Sequence, residues 1–211
     1  MLRRLLLTLE FLIVFLVLPL LIFYRVLPNW PIPFLLAVAL AAFLILWRDP
    51  SFDSSRLWST RGIRSRLPGL LFRDAVLLVL LGLGVLMFAP NLLFSLLKRS
   101  PGLWALIMLL YPLISVYPQE LLYRTFFFHR YRPLFGTSWP MLVASACAFG
   151  LVHVIFGNWL ALALCAVGGL LFALTYQRSE SLLLTCVDHA LFGNFIFTIG
   201  LGRFFYNGSH L

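Results

Sequence analysis

The stretch LWALIMLLYPLISVYPQELLYRTFFF, residues 103–128, decides the fold class. At about 1.5 Å per residue it is long enough to cross a ~30 Å hydrocarbon core. Its only charges are Glu120 and Arg124, and no polar stripe recurs along it as a surface helix of a soluble protein would require. Six further windows of about 17 to 25 apolar residues flank it, at 5–24, 31–47, 74–97, 139–157, 159–177 and 182–201. The expected architecture is all-α, a polytopic transmembrane helical bundle of about seven spans.

Composition agrees with this reading. The chain of 211 residues is 62% hydrophobic, with 7 acidic against 16 basic residues, and its mean hydropathy is +1.00. A soluble domain needs more charge than that to cover its surface. One integral membrane domain over 1–211 is therefore expected. The net charge of +9 does not point to nucleic acid, because no basic stretch carries a DNA- or RNA-binding motif. Cys147, Cys165 and Cys186 lie in apolar segments without CxxC spacing, and read as small core residues.

The first helix starts on Arg3 and Arg4, but its apolar run is too long for a signal h-region and no small-x-small site follows. It reads as a retained span, with Glu10 as a carboxylate near the interface. Seven spans with Arg3 and Arg4 inside leave only Arg25, Lys98, Arg99 and Arg203 outside, and the other twelve basic residues, Arg61 among them, on or near the cytoplasmic side. That asymmetry supports a cytoplasmic N-terminus. The polar segment between the second and third spans, with Trp58, Ile63 and Leu67 among arginines, reads equally as an interfacial helix or a solvated loop.

Polar groups at membrane depth concentrate in the second half: Glu120, His153, Asn158, Asp188, His189 and Asn194. An ionisable group there costs roughly 2.5 to 3.5 kcal/mol on insertion scales, so it faces protein or a wet cavity. From the expected boundaries Glu120 lies about 12 Å deep, His189 about 11 Å and His153 about 21 Å, close enough for one site shared by three helices. Glu120 and Arg124, four apart, share a face and read either as a structural ion pair or as a carboxylate kept ionised by its arginine. Phe149 and His153 are likewise four apart, with Gly150 permitting close helix approach. Asp188 points about 100° from His189 and is expected to pair with a cation such as Arg178.

In order along the chain, QELLYR (119–124), FGLVH (149–153) and HALFGN (189–194) resemble the motifs of the CPBP family of membrane-embedded CAAX-type proteases, which includes the type II CAAX prenyl endopeptidases. The resemblance covers about residues 100–200. It implies a glutamic-type intramembrane endopeptidase without a cofactor. Glu120 and His153 would activate water, His189 and an asparagine would stabilise the oxyanion, and Arg124, Gln119, Asn194 and Asn158 would support the site. Residues 101–201 would form the catalytic helix core and 1–100 the peripheral helices. The implied partners are the bilayer and a membrane-anchored protein or peptide, either a C-terminal sorting tail or a prenylated peptide. The short chain looks like a bacterial member, placed in the inner membrane.

The chain departs from the family's EExxxR and HxxxN patterns twice. Gln119 stands at the leading glutamate, so either Glu120 is the base with Gln119 as a hydrogen-bonding partner, or the site is silent. Gly193 stands four residues after His189, and Asn194 reaches the same cavity only if the helix loosens there. A zinc site formed by Glu120, His153 and His189 is the first alternative, although HExxH is absent. A cysteine protease on Cys186 is weaker, since an apolar surrounding makes a thiolate costly. From another class comes a silent scaffold, immunity or transport protein using the same polar cluster for packing or proton relay.

Overall fold

The structure, a computed structural model, describes residues 1–60 and 63–205, so Arg61 lies outside the described residues. Among the described residues six helices are long and apolar enough to cross a membrane: α1 (Leu2–Phe23), α2 (Pro31–Arg48), α3 (Ile63–Phe88), α4 (Pro101–Arg130), α5 (Trp139–Phe156) and α6 (Trp159–Ser179). A seventh, α7 (Leu182–Thr198), is apolar but shorter. Among the described residues there is no strand. The chain is an integral, multi-pass membrane protein.

Prolines open several helices where a missing N–H goes unmissed, at Pro31 of α2 and Pro101 of α4. Asn158 caps α6 by accepting from the Ala161 N–H, and Ser181 caps α7 by accepting from Leu184. The third helix corrects the expectation in register. It begins at Ile63 rather than 74 and ends at Phe88, before Pro90, so Ile63 and Leu67 lie in its first turns. Trp58 stays outside it, stacked on Tyr117. The helix tolerates Pro68 because only its early turns lose a bond there.

Four polar contacts gather at one end of the bundle. Glu10 of α1 receives a bidentate pair of bonds from Arg130 at the end of α4, at 3.0 and 2.6 Å, plus the Tyr131 hydroxyl. Asp49, just past α2, meets His129 at 2.9 Å. Arg56 of the α2–α3 loop pairs with Glu180 between α6 and α7. Arg73 of α3 reaches Asp188 of α7 at 2.6 Å. At the other end Trp104 of α4 donates to Thr198 of α7, and Asn158 donates to the Phe204 carbonyl. Helices that alternate in direction place their ends this way.

The partner of Asp188 is thus Arg73 rather than the expected Arg178. Residue spacing on one helix hairpin favoured the arginine nearer in sequence, whereas α3 packs beside α7 and delivers Arg73 from 115 positions away. Helices α5 and α6 pack closely because small residues face each other. A Cβ at Gly150 would stand 3.1 Å from Ala166, and one at Gly169 would stand 3.0 Å from the Phe149 ring.

Candidate active site

Helix α4 departs from regular α geometry where the site forms. Two π-helical stretches, Pro112–Val116 and Leu121–Phe126, bracket the single α turn Tyr117–Glu120. Such stretches often mark functional sites because each absorbs an extra residue and re-aims the side chains beyond it. Pro112 contributes to the first: it has no N–H for the Met108 carbonyl, which instead receives the Asn194 side chain at 3.4 Å.

A cavity of about 660 Å³ opens among the helices, its wall almost wholly apolar. Its polar groups include Tyr111, Ser115, Gln119, His153 and His189. Val14 and Leu18 of α1, Leu35 of α2 and Leu77 of α3 also line it, so the first half of the chain helps enclose the site.

Gln119 and Glu120 diverge as neighbours on a helix must. Gln119 faces the cavity, donating its Nε2 to Ser115 Oγ at 2.7 Å, while its buried Oε1 has no partner among the described residues. Glu120 stands one layer behind the wall, fully buried. Its Oε1 accepts from His189 Nδ1 at 2.8 Å, and its Oε2 lies 3.4 Å from Arg124 Nε.

Arg124 is equally buried and ties three helices together. It donates to Ser145 Oγ at 3.0 Å and to the carbonyls of Tyr123 and Gly169 at 3.1 Å each, with its guanidinium 5.0 Å over the Phe149 ring. A charge taken from water needs such partners, and this one also neutralises Glu120, although Arg124 Nε and Glu120 Oε2 meet only as an ion pair without a hydrogen bond.

Both histidine tautomers are set by their acceptors. His189 Nδ1–H donates to the Glu120 carboxylate, which leaves Nε2 as the acceptor for the Tyr111 hydroxyl at 3.0 Å. The His189 ring stacks on Phe172 at 4.5 Å. His153 Nδ1–H donates to the Phe149 carbonyl at 2.7 Å, so its Nε2 carries a free lone pair beside the cavity. The Phe149 ring touches both imidazoles, its centroid 4.9 Å from His153 and 5.5 Å from His189.

Thus Glu120, His153, His189, Gln119 and Arg124 form one assembly, Glu120 reaching the cavity only through His189. The two asparagines do not join it. Helix α7 runs unbroken through Gly193, so Asn194 stays turned toward Met108. Asn158 is occupied as the α6 cap.

Tyr111 escaped the sequence reading for a geometric reason. Nine residues of regular helix turn about half a circle, which would set Tyr111 opposite Glu120. The π stretch between them absorbs about one residue of that turn and brings the two to roughly a quarter-circle.

The donor set does not suit zinc. His189 Nδ1 and Glu120 point at each other and His153 Nδ1 is held by a carbonyl, which leaves two imidazole Nε2 atoms where a catalytic zinc needs three protein ligands. Among the described residues no group of three His, Cys, Asp or Glu is placed to hold a metal ion.

No curated protein and no solved structure matches the chain. Residues 100–195, just under half of it, match the Rce1-like family, described as type II CAAX prenyl endopeptidase. That segment runs from the start of α4 into α7 and carries Glu120, His153 and His189, and over it the chain is similar to this family of CAAX-type membrane proteases.

Proposed function

We propose that the protein is an intramembrane endopeptidase that hydrolyses a peptide bond in a membrane-anchored chain, with Glu120, His189 and His153 as its catalytic machinery. The observation that carries this reading is the 2.8 Å bond from His189 Nδ1 to a buried carboxylate, with the His189 imidazole lining the cavity. A carboxylate at Nδ1 fixes the tautomer and stabilises the imidazolium that forms when Nε2 takes a proton.

Water held between His189 Nε2 and His153 Nε2 loses a proton to His189 as its oxygen attacks the peptide carbonyl carbon. The C=O electron pair moves to oxygen. On collapse that pair returns, the C–N bond breaks, and the His189 proton passes to the departing nitrogen. Glu120 therefore acts on water through His189, which takes the base's role in place of the oxyanion role that the resemblance implies, and His153 orients the water as second acceptor. Gln119 is an amide and takes no proton, but its unpartnered Oε1 suits a substrate backbone N–H.

The cavity wall supports a substrate with an apolar anchor, a prenylated peptide or a C-terminal sorting tail entering between helices. The proposed setting is a bacterial cytoplasmic membrane.

The test is cleavage of a panel of such tails by the purified wild type, Glu120→Gln and His153→Ala, each with and without chelator. Cleavage that falls in both variants and ignores chelator is expected. Undiminished turnover by Glu120→Gln sinks the mechanism, and chelator-sensitive turnover returns the site to zinc chemistry.

A further inference from the structure

Resting on that reading, we infer that Tyr111 is a further catalytic residue, the hydroxyl that donates to the oxyanion as the tetrahedral intermediate forms. Three observations meet at this side chain. Its hydroxyl is bonded to His189 Nε2, the nitrogen that must accept the proton of water. It lines the same cavity as both histidines. And α7 is cleared for it: a Cβ at Gly193 would overlap the Tyr111 ring and its hydroxyl oxygen.

The bond has a direction. In the neutral imidazole, Nδ1 donates to Glu120 and Nε2 accepts, so the phenolic proton sits between Tyr111 and the base. At rest this blocks the basic lone pair. A substrate carbonyl placed in the cavity offers the hydroxyl a second acceptor, and as the O–H turns toward it, Nε2 is released for water. The attack then proceeds with atoms conserved: the water proton moves to Nε2, the new C–O bond forms, and the negative charge on the former carbonyl oxygen receives the Tyr111 hydrogen bond. Tyr111 keeps its proton throughout. A donor held in place beforehand, in a water-poor cavity, stabilises that charge more than it stabilises the neutral carbonyl. The ring itself is held by Phe197, whose centroid lies 5.4 Å away in edge contact, so the hydroxyl is aimed by packing.

The test uses the full-length protein in detergent or bilayers with a fluorogenic membrane-anchored peptide that the wild type cleaves. Tyr111→Phe keeps the ring and removes the donor. Its kcat is expected to fall about 10²- to 10³-fold, the usual cost of one oxyanion donor, with KM within a few-fold of wild type. Gly193→Ala displaces the same hydroxyl from the other side and is expected to lose a similar factor. The double variant should lose little more than either single one, because both remove one interaction. Thermal unfolding of Tyr111→Phe should track the wild type, which separates chemistry from folding.

Tyr111→Phe with kcat within threefold of wild type overturns the proposal while leaving the peptidase reading intact. So does a loss confined to KM. Glu120→Gln and His153→Ala that cut as fast as wild type remove the peptidase reading, and this proposal with it.

Discussion

Asp188 and His189 are consecutive on α7, yet they enter two clusters of buried charge built to different rules. Asp188 is closed in on every side. Its Oδ1 takes Arg73 Nη2 at 2.6 Å, its Oδ2 takes the Thr175 hydroxyl at 2.5 Å, and Arg73 also holds Asp74 at 2.7 Å. The His189 cluster is anchored on its protein side by Glu120 and Arg124, and left open on the other, where His189, Tyr111, Gln119 and His153 line a cavity. Adjacent residues on a helix point about 100° apart, so one turn of α7 serves both clusters. A closed cluster fixes where a helix sits. An open one leaves polar capacity for a substrate.

The contrast can be broken by substitutions on either side of it. The largest effect belongs to the open cluster: Glu120→Gln or His153→Ala should lower turnover by about 10² to 10⁴, the range for a positioned acid–base group. Unfolding of each variant, followed by circular dichroism, should show that folded protein remains. In the closed cluster, Asp188→Ala leaves Arg73 paired with Asp74 alone and Thr175 without its acceptor, and should cost about 1 to 3 kcal/mol in a denaturant titration. Turnover per folded molecule should stay within about threefold of wild type. If turnover falls as far as it does in Glu120→Gln, the two clusters are one functional unit.

Packing beneath the open cluster comes next. Gly169→Ala brings a Cβ to 3.0 Å from the Phe149 ring and 3.3 Å from the Ala146 backbone, an overpacking of about 1 to 3 kcal/mol. Because Phe149 packs against both histidines, some turnover should be lost with it.

The bundle's rim should respond least. The Glu10 and Arg130 side chains remain 29% and 36% exposed, and solvent screening limits Arg130→Ala to about 1 kcal/mol despite ideal geometry. Asp49, in the α2–α3 loop, offers a pH dependence. Bonds from the Ser51 hydroxyl, from His129 and from the Ser51 N–H hold its carboxyl well below the usual carboxylate range. A carboxylate lowered on folding stabilises the fold fully above its ordinary value of 3.8, and that contribution disappears as pH falls through the lowered one. The gap in unfolding midpoint between wild type and Asp49→Asn should therefore be constant near neutrality and shrink in acid below that value. A gap that widens in acid contradicts the assignment.

Much of the site was legible because the evidence for it is local and periodic. Long apolar runs mark spans irrespective of partners, since lipid offers no hydrogen bonds and charge at depth is costly. Three short motifs on three spans sufficed to bring Glu120, His153 and His189 to the front, and the four-residue spacing of Glu120 and Arg124 placed them on one face. The same periodicity correctly warned that Gln119 and Glu120 diverge.

Sequence by itself determined the solvent, the helical class, and which residues were too polar to be there without a reason. Tertiary structure alone decided which of those residues reach the cavity. Helical spacing predicts rotation only while the helix stays regular, and the π stretch after Tyr111 resets that rotation and brings a phenol to His189. Spacing also says nothing of neighbours across the bundle. That Glu120 stands behind His189, that Arg73 rather than Arg178 holds Asp188, and that Asn194 serves a carbonyl orphaned by Pro112 are all outcomes of how separate helices pack.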